Sequence, residues 1–367
     1  MEIKFIPVSR IYNDLKTKLE PRMNFVYNQD NHFEGEFTKQ CEDFLKSYTG
    51  RKYAFVTTSG TASITIMLMA AGAKPGSKVA STNYSCPATV MPIKMLSAIP
   101  VYNDINLYGQ QDFTNLSDVD FILATGLYGD CYDHDQIKNI DVPILNDSAQ
   151  SFGAKYNDKE STSLGDMSII SFSTNKNCPI FGTYGAVLTD NQEYAEKIFL
   201  MRRNGYRSRD VGTGIEHIGM NAQPHEDKSV QLLCSLEKLP QWQNTRQNIA
   251  NDLDVALKKL DVCLRKSPSY STKNNHKYCI FVEDKWQFRD KMSKLGVECH
   301  LHYTYNFSKT PVLKGETLSE YPWTEFYRKH AVSIPSNPWL TVKEINYIIN
   351  SIEKCITKED RELCHRM

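Results

Sequence analysis

From Tyr53 to about Asp190 the chain alternates short β-rich runs with helix-like stretches. The runs are YAFVTT (53–58), KVASTN (78–83), AIPVYND (98–104), VDFILATGLY (119–128), VPILND (142–147), MSIISFS (167–173) and GAVLTD (185–190). Most are short, rich in Val, Ile and aromatics, and bounded by Gly, Pro, Asn or Asp, which is how strands read. The stretch Gly60 to Gly72 is apolar nearly all round, as in a helix buried against a sheet, and Gly72 with Pro75-Gly76 marks its end. Strands alternating with helices predict an α/β fold whose mostly parallel sheet is sandwiched by helices.

After Gln223 the pattern changes. Residues 226–260 read as helical, with Leu232, Leu233, Leu236 and Leu239 on one stripe and Pro240 as a kink or break. HKYCIFVED, a helical DKWQFRDKMSKLG and a strand-like VECHLHYTY (297–305) follow, and Thr341 to Cys355 reads as a closing amphipathic helix. We expect a large domain over 1–245, including the N-terminal segment, and a smaller C-terminal α+β domain over 246–367.

Composition narrows the class. Of 367 residues, 41% are hydrophobic and 23% charged, close to soluble globular averages, which argues against a disordered or fibrous chain. The formal net charge is zero, which leaves no field for gathering nucleic acid or an anionic membrane. No apolar run is long enough to span a bilayer, and Met1 to Arg10 does not read as a secretory leader. Ten cysteines are scattered without a C-x-x-C pair, which predicts free thiols in a reducing cytoplasm. His300 and His302 form H-x-H with no cysteine or acid cluster beside them, so no metal site is expected.

Candidate chemistry lies at strand ends, where ligands of open α/β sheets sit. Ser59-Gly60-Thr61 stands between a strand and a buried helix, where unpaired N–H groups suit a phosphate; it reads equally as an ordinary helix start. Asp147 closes VPILND and is followed by Ser148-Ala149-Gln150; an acid there is a ligand position or a turn former. Lys176, in SIISFSTNKN, follows a buried strand as either a solvated cation or a nucleophile. A phosphate loop, an acid and a lysine together are what pyridoxal 5′-phosphate (PLP) requires for its phosphate, its pyridine nitrogen and its aldehyde.

The blocks NDSAQSFGAKY (146–156) and SLGDMSIISFSTNK (163–176) stand in this order, with FEGEFTKQCEDFLKSYTGRKYAFVTTSGTASI (33–64), IPVYNDIN (99–106), LYGDCYDHDQI (127–137), RRNGY (202–206), HIGMNA (217–222) and SIPSNPWLTVKE (333–344) around them. With these the chain resembles, over nearly its whole length, the DegT/StrS family of PLP-dependent nucleotide-sugar aminotransferases of the aspartate-aminotransferase superfamily. The resemblance implies that Lys176 binds the cofactor covalently and that Asp147 faces its ring nitrogen. It places Gln150 near the phenolic oxygen, Ala149 against one ring face, and Gly60, Thr61 and Ser171 on the phosphate. It also implies that Asn221 reaches the cofactor of a second subunit, in a homodimer with shared active sites. The implied reaction moves an amino group from glutamate to a nucleotide-linked keto sugar, a 4-keto-6-deoxyhexose being the first expectation.

Several positions depart from the family pattern. Where an aromatic usually stacks on the ring, TNYSCPAT offers Cys86, with Tyr84 two residues earlier as a substitute or a packing aromatic. The usual G-E-G-G reads Gly182-Thr183-Tyr184-Gly185, the usual arginine after the asparagine is Gln223, and the usual histidine before Leu-Tyr-Gly is Gly126. Tyr184 is a substrate candidate for that reason. His302 and Tyr303 match an H-Y motif, either lining the pocket or packing in the small domain. The related sugar 3-dehydratases carry histidine at the lysine position, so Lys176 favours the aminotransferase; a binding protein that lost turnover is the other alternative.

Overall fold

All seven β-rich runs become strands of one sheet: β1 (Tyr53–Thr57), β2 (Lys78–Thr82), β3 (Ile99–Asn103), β4 (Phe121–Thr125), β5 (Ile144–Asp147), β6 (Met167–Ser171) and β7 (Gly185–Thr189). An eighth, β8 (Glu316–Thr317), joins from the C-terminal third, giving the order β1-β7-β6-β5-β4-β2-β3-β8. Every neighbouring pair is parallel except that β7 runs antiparallel to both β1 and β6. The computed structural model describes all residues but 115, 208–213, 318, 319 and 367, and gives the backbone alone for 365 and 366.

Period-two alternation sorts the side chains into two layers. Phe55, Ile169 and Val187 face the helix Gly60–Ala71, whose Ile64, Met67 and Leu68 complete that core. Ala54, Val56, Ile170, Ala186 and Leu188 face the other way, onto Leu45 of helix Glu36–Thr49 and onto Leu232, Leu233, Leu236 and Leu239. Each such large side chain, fully buried, contributes about 1.5–3 kcal/mol. The sheet is therefore covered on both sides, as its continuous apolar strands require.

Helix Glu226–Lys259 runs through residue 245 and contains Pro240 without ending there. Buried residues on both sides of the proline, from Leu232 to Leu257, keep the helix docked despite the missing N–H, so of the kink or break read at Pro240 the break does not occur. Beyond it, Cys263–Leu264, Tyr278–Phe281 and Ala331–Ile334 form an antiparallel sheet. Helices Lys285–Lys294 and Val342–Cys355 pack on a core formed by Leu253, Leu257, Ile280, Phe288, Val332, Ile348 and Ile352. Thr341 caps the second of these helices in a capping box with Glu344. Ile3 packs into this same core, although it is at the other end of the chain.

Three further features differ from the sequence reading. Helices Val8–Tyr27 and Glu36–Thr49 were not among the predicted elements. The segment 297–305 forms only isolated bridges, Ile3 with Val297 and His300 with Ser333, instead of a strand. Its backbone groups are taken by side chains: Tyr303 N–H donates to the Tyr84 hydroxyl at 2.6 Å, and Lys285 Nζ donates to Tyr303 O at 3.1 Å. The cysteines are not all free thiols, because Cys263 is bonded to Cys364, their Cα atoms 5.1 Å apart. Among the described residues, no helix is long and apolar enough to cross a membrane.

The C-terminal third is fastened to the β4–β5 side by a buried ion pair. Arg265 Nη2 meets Asp130 Oδ2 with both side chains nearly solvent-free, Ser267 Oγ donates to the same oxygen at 3.0 Å, and Arg265 Nη1 donates to Tyr108 O at 2.8 Å. Arg265→Ala should lower unfolding stability by about 3–5 kcal/mol, because it leaves a buried carboxylate without its cation. Pairing it with Asp130→Leu should recover much of the loss. Denaturant titration of the single and double variants beside the parent chain checks this, and an unchanged midpoint for the single variant would contradict it.

Candidate active site

β1, β2, β5 and β6 all point their C-terminal ends to one edge of the sheet, with antiparallel β7 between β1 and β6. A cavity of about 210 Å³ opens at that edge. The Gly60–Ala71 helix begins there, with Ser59 Oγ accepting from Ala62 N at 3.0 Å. Gly60 packs against the end of β6: a Cβ at Gly60 would lie 2.9 Å from Ser171 Cβ and 3.1 Å from Ser171 Oγ. Gly60, Thr61 and Ser171 thus form one lip, offering the free N–H groups of a helix start and two hydroxyls.

Asp147 ends β5 on the opposite side of the same floor. Its carboxylate is held at both oxygens: Ala149 N donates to Oδ1 at 3.0 Å and Thr89 Oγ1 donates to Oδ2 at 2.9 Å. Burial pushes its pKa up, opposed by these two donors and by the charge of Lys176. Thr89 was not picked out from the sequence; it follows Pro87 in a single 3₁₀ turn, and only the fold brings it beneath Asp147. Ser85 and Thr89 share a hydroxyl contact at 3.0 Å that keeps the turn in place.

Lys176 stands beyond β6 on a loop tied from several directions. Thr174 Oγ1 donates to Ile180 O at 2.8 Å, Asn177 Nδ2 donates to Phe152 O at 2.6 Å, and buried Arg246 donates to Asn177 O at 3.1 Å. The Lys176 amine opens onto the cavity, with no hydrogen-bond or ion-pair partner among the described residues. Burial of its stem and head among protein atoms drives its pKa down, opposed by the Asp147 carboxylate.

The remaining sequence candidates divide. Cys86, Ala149, Gln150, His302 and Tyr303 line the cavity. Gln150 Nε2 donates to the Tyr303 hydroxyl at 2.9 Å, and its Oε1 accepts from Tyr128 N at 3.1 Å. Tyr84 does not line the cavity: β2 ends at Thr82, so strand alternation no longer applies, and the phenol turns inward to hold the backbone of 302–303. Cys86 alone of that pair is on the wall. Tyr184 is also off the wall, its hydroxyl placed between His225 O at 3.1 Å and Ser229 Oγ at 3.0 Å, whereas Thr183 lines the cavity. Asn221 is exposed and bridges to Arg203, away from this chain's cavity. A side chain at Gly126 has no room, since a Cβ would be 2.6 Å from Ser151 Oγ and 2.7 Å from Asp130 O. Lys277, which carries no signal in the sequence, joins the lining.

The sequence model of the DegT/DnrJ/EryC1/StrS aminotransferase family matches residues 13–353. The chain belongs to this family. UDP-2-acetamido-2-deoxy-3-oxo-D-glucuronate aminotransferase of Pseudomonas aeruginosa is 27% identical to it, over 94% of this chain and 98% of the relative. The 3-oxo-glucose-6-phosphate:glutamate aminotransferase of Bacillus subtilis is 25% identical, over 98% and 85%. Among solved structures, a DegT/DnrJ/EryC1/StrS aminotransferase from Brucella abortus superposes with a TM-score of 0.90 at 21% identity, covering 97% of this chain and 100% of that one.

Enzymes of the DegT family are PLP-dependent sugar aminotransferases, and the cavity fits that cofactor. A phosphate suits the Gly60–Ser171 lip, a protonated ring nitrogen suits the anchored Asp147 carboxylate, and an aldehyde suits the unpaired Lys176 amine. Gly60→Ala should weaken PLP binding about tenfold or more, because the added methyl displaces Ser171 from the lip. An absorbance titration with PLP checks this; unaltered affinity would show that the lip does not carry the phosphate.

Proposed function

We propose that this aminotransferase moves an amino group from glutamate to a nucleotide-linked keto sugar, with a 4-keto-6-deoxyhexose as the first candidate. The observation that carries the reading is that Lys176 and Asp147 share one cavity, each held in place, without pairing to each other. Relatives named for UDP- and dTDP-linked amino sugars support the substrate class. The name of the B. subtilis relative includes glutamate, which supports the donor.

When bound, PLP supplies an electron sink for the carbon that gains or loses the amino group. Asp147 would hold the ring nitrogen of the cofactor, and its fixed negative charge would favour a proton there. Thr89 and Ala149 keep that carboxylate from turning away. Lys176 moves a proton to and from the substrate carbon, and its burial favours the free amine that this requires. Gln150 would lie near the phenolic oxygen, Ala149 would bound one ring face, and Gly60, Thr61 and Ser171 would hold the phosphate. The Tyr303 and His302 side chains close the substrate side of the cavity.

The same reading makes the protein a cytoplasmic homodimer with shared sites, Asn221 reaching its partner's phosphate. An apolar cleft lined by Val8, Tyr12, Leu19, Met23, Tyr27 and Phe181 supports an interface on this chain. Glutamate alone should release one 2-oxoglutarate per site from the PLP-loaded protein, and nucleotide-linked keto sugars should then regenerate the starting absorption. Lys176→Ala should abolish turnover, and Asp147→Asn should slow it by about 10²–10⁴-fold. Stopped-flow absorbance and product chromatography read these outcomes; near-normal turnover in either variant would overturn the assigned roles.

A further inference from the structure

Lys277 precedes the strand Tyr278–Phe281 and enters the cavity from the C-terminal third. It is buried, at 6% exposure. Its Nζ lies 3.3 Å from Gln150 Oε1 and 3.3 Å from the Tyr303 hydroxyl, and 5.2 Å from the centre of the Tyr303 ring. All of these partners are neutral. Among the described residues no carboxylate pairs with Lys277, and Asp147, the one carboxylate lining the cavity, is committed to Thr89 and Ala149.

A lone ammonium in such a place is costly. Burial and the neighbouring Lys176 charge together push the Lys277 pKa far down, and an anion placed beside it would oppose both and favour the charged form. An ammonium has three donors, two of which are directed at Gln150 and Tyr303, and the third is left for something that enters the cavity. His302 is on the same wall, with Nδ1 2.9 Å from Ser333 Oγ; burial lowers its pKa, and an imidazole brings no partner anion.

We propose that Lys277 is the substrate-recognition residue that receives a carboxylate brought into the cavity by the reactants. This rests on the aminotransferase reading and names the chemistry of its substrate side. The carboxylate comes either from the amino-acid donor or from an acidic keto sugar, and the two half-reactions separate these sources.

The test uses the PLP-loaded protein and its Lys277→Gln variant, with glutarate as a dicarboxylate probe that has no amino group to react. Calorimetry should show normal cofactor loading in the variant and glutarate affinity weakened about 10- to 100-fold, the loss of one charge-assisted hydrogen bond. If the donor brings the carboxylate, the KM for glutamate rises by a similar factor while kcat stays within about threefold. If the sugar brings it, the second half-reaction weakens for an acidic keto sugar and not for a 6-deoxy one. Unchanged glutarate affinity overturns the proposal, as does loss of the cofactor itself, which would put Lys277 on PLP instead. Because glutarate binding needs no turnover, a protein that fails to transaminate still answers the question.

Discussion

A lysine and a carboxylate lining one cavity can close on each other as an ion pair, and here Lys176 and Asp147 are kept from doing so. At an effective dielectric near 20, a contact pair at about 4 Å would gain about 4 kcal/mol. The fold withholds that contact. Thr89 and Ala149 hold both Asp147 oxygens at the end of β5, while Asn177, Thr174 and Arg246 fix the loop that carries Lys176. The separation of the two groups is imposed by these hydrogen bonds, and the proposed cofactor chemistry depends on it.

The sheet supplies that separation. Parallel strands deliver their C-terminal ends to one edge, so residues far apart in sequence converge without any strand bending. Helices cover the floor on both faces, and the Arg265–Asp130 pair fastens the C-terminal third beside it. That third then provides the opposite wall: Lys277, His302 and Tyr303. Its segment 297–305 gives up strand pairing because Tyr84, Tyr128 and Lys285 satisfy its backbone instead. That wall is thus held by tyrosine hydroxyls from the large-sheet side, which joins the two sides of the cavity mechanically.

The strand-end residues that converge on the cavity were legible in the sequence because they obey local rules. A buried strand followed at once by Asp147, Lys176 or Ser59-Gly60-Thr61 marks a strand end, and strand ends converge in this fold class. The β-rich runs were legible for the same reason. Of the two readings of Tyr84 the packing aromatic holds, because alternation applies only within a strand and β2 stops two residues before it. Thr89 and Lys277 carried no local signal: a threonine in a turn and a lysine at a strand start are ordinary until tertiary contacts bring them to the cavity. Pro240 shows the converse, a strong local signal overridden by burial along the rest of its helix.

The most direct measurement is borohydride reduction of the PLP-loaded protein followed by peptide mass mapping. The phosphopyridoxyl group is expected on the peptide bearing Lys176 and on no other. Label on Lys277, the second lysine of the cavity, or on a surface lysine would contradict the assignment.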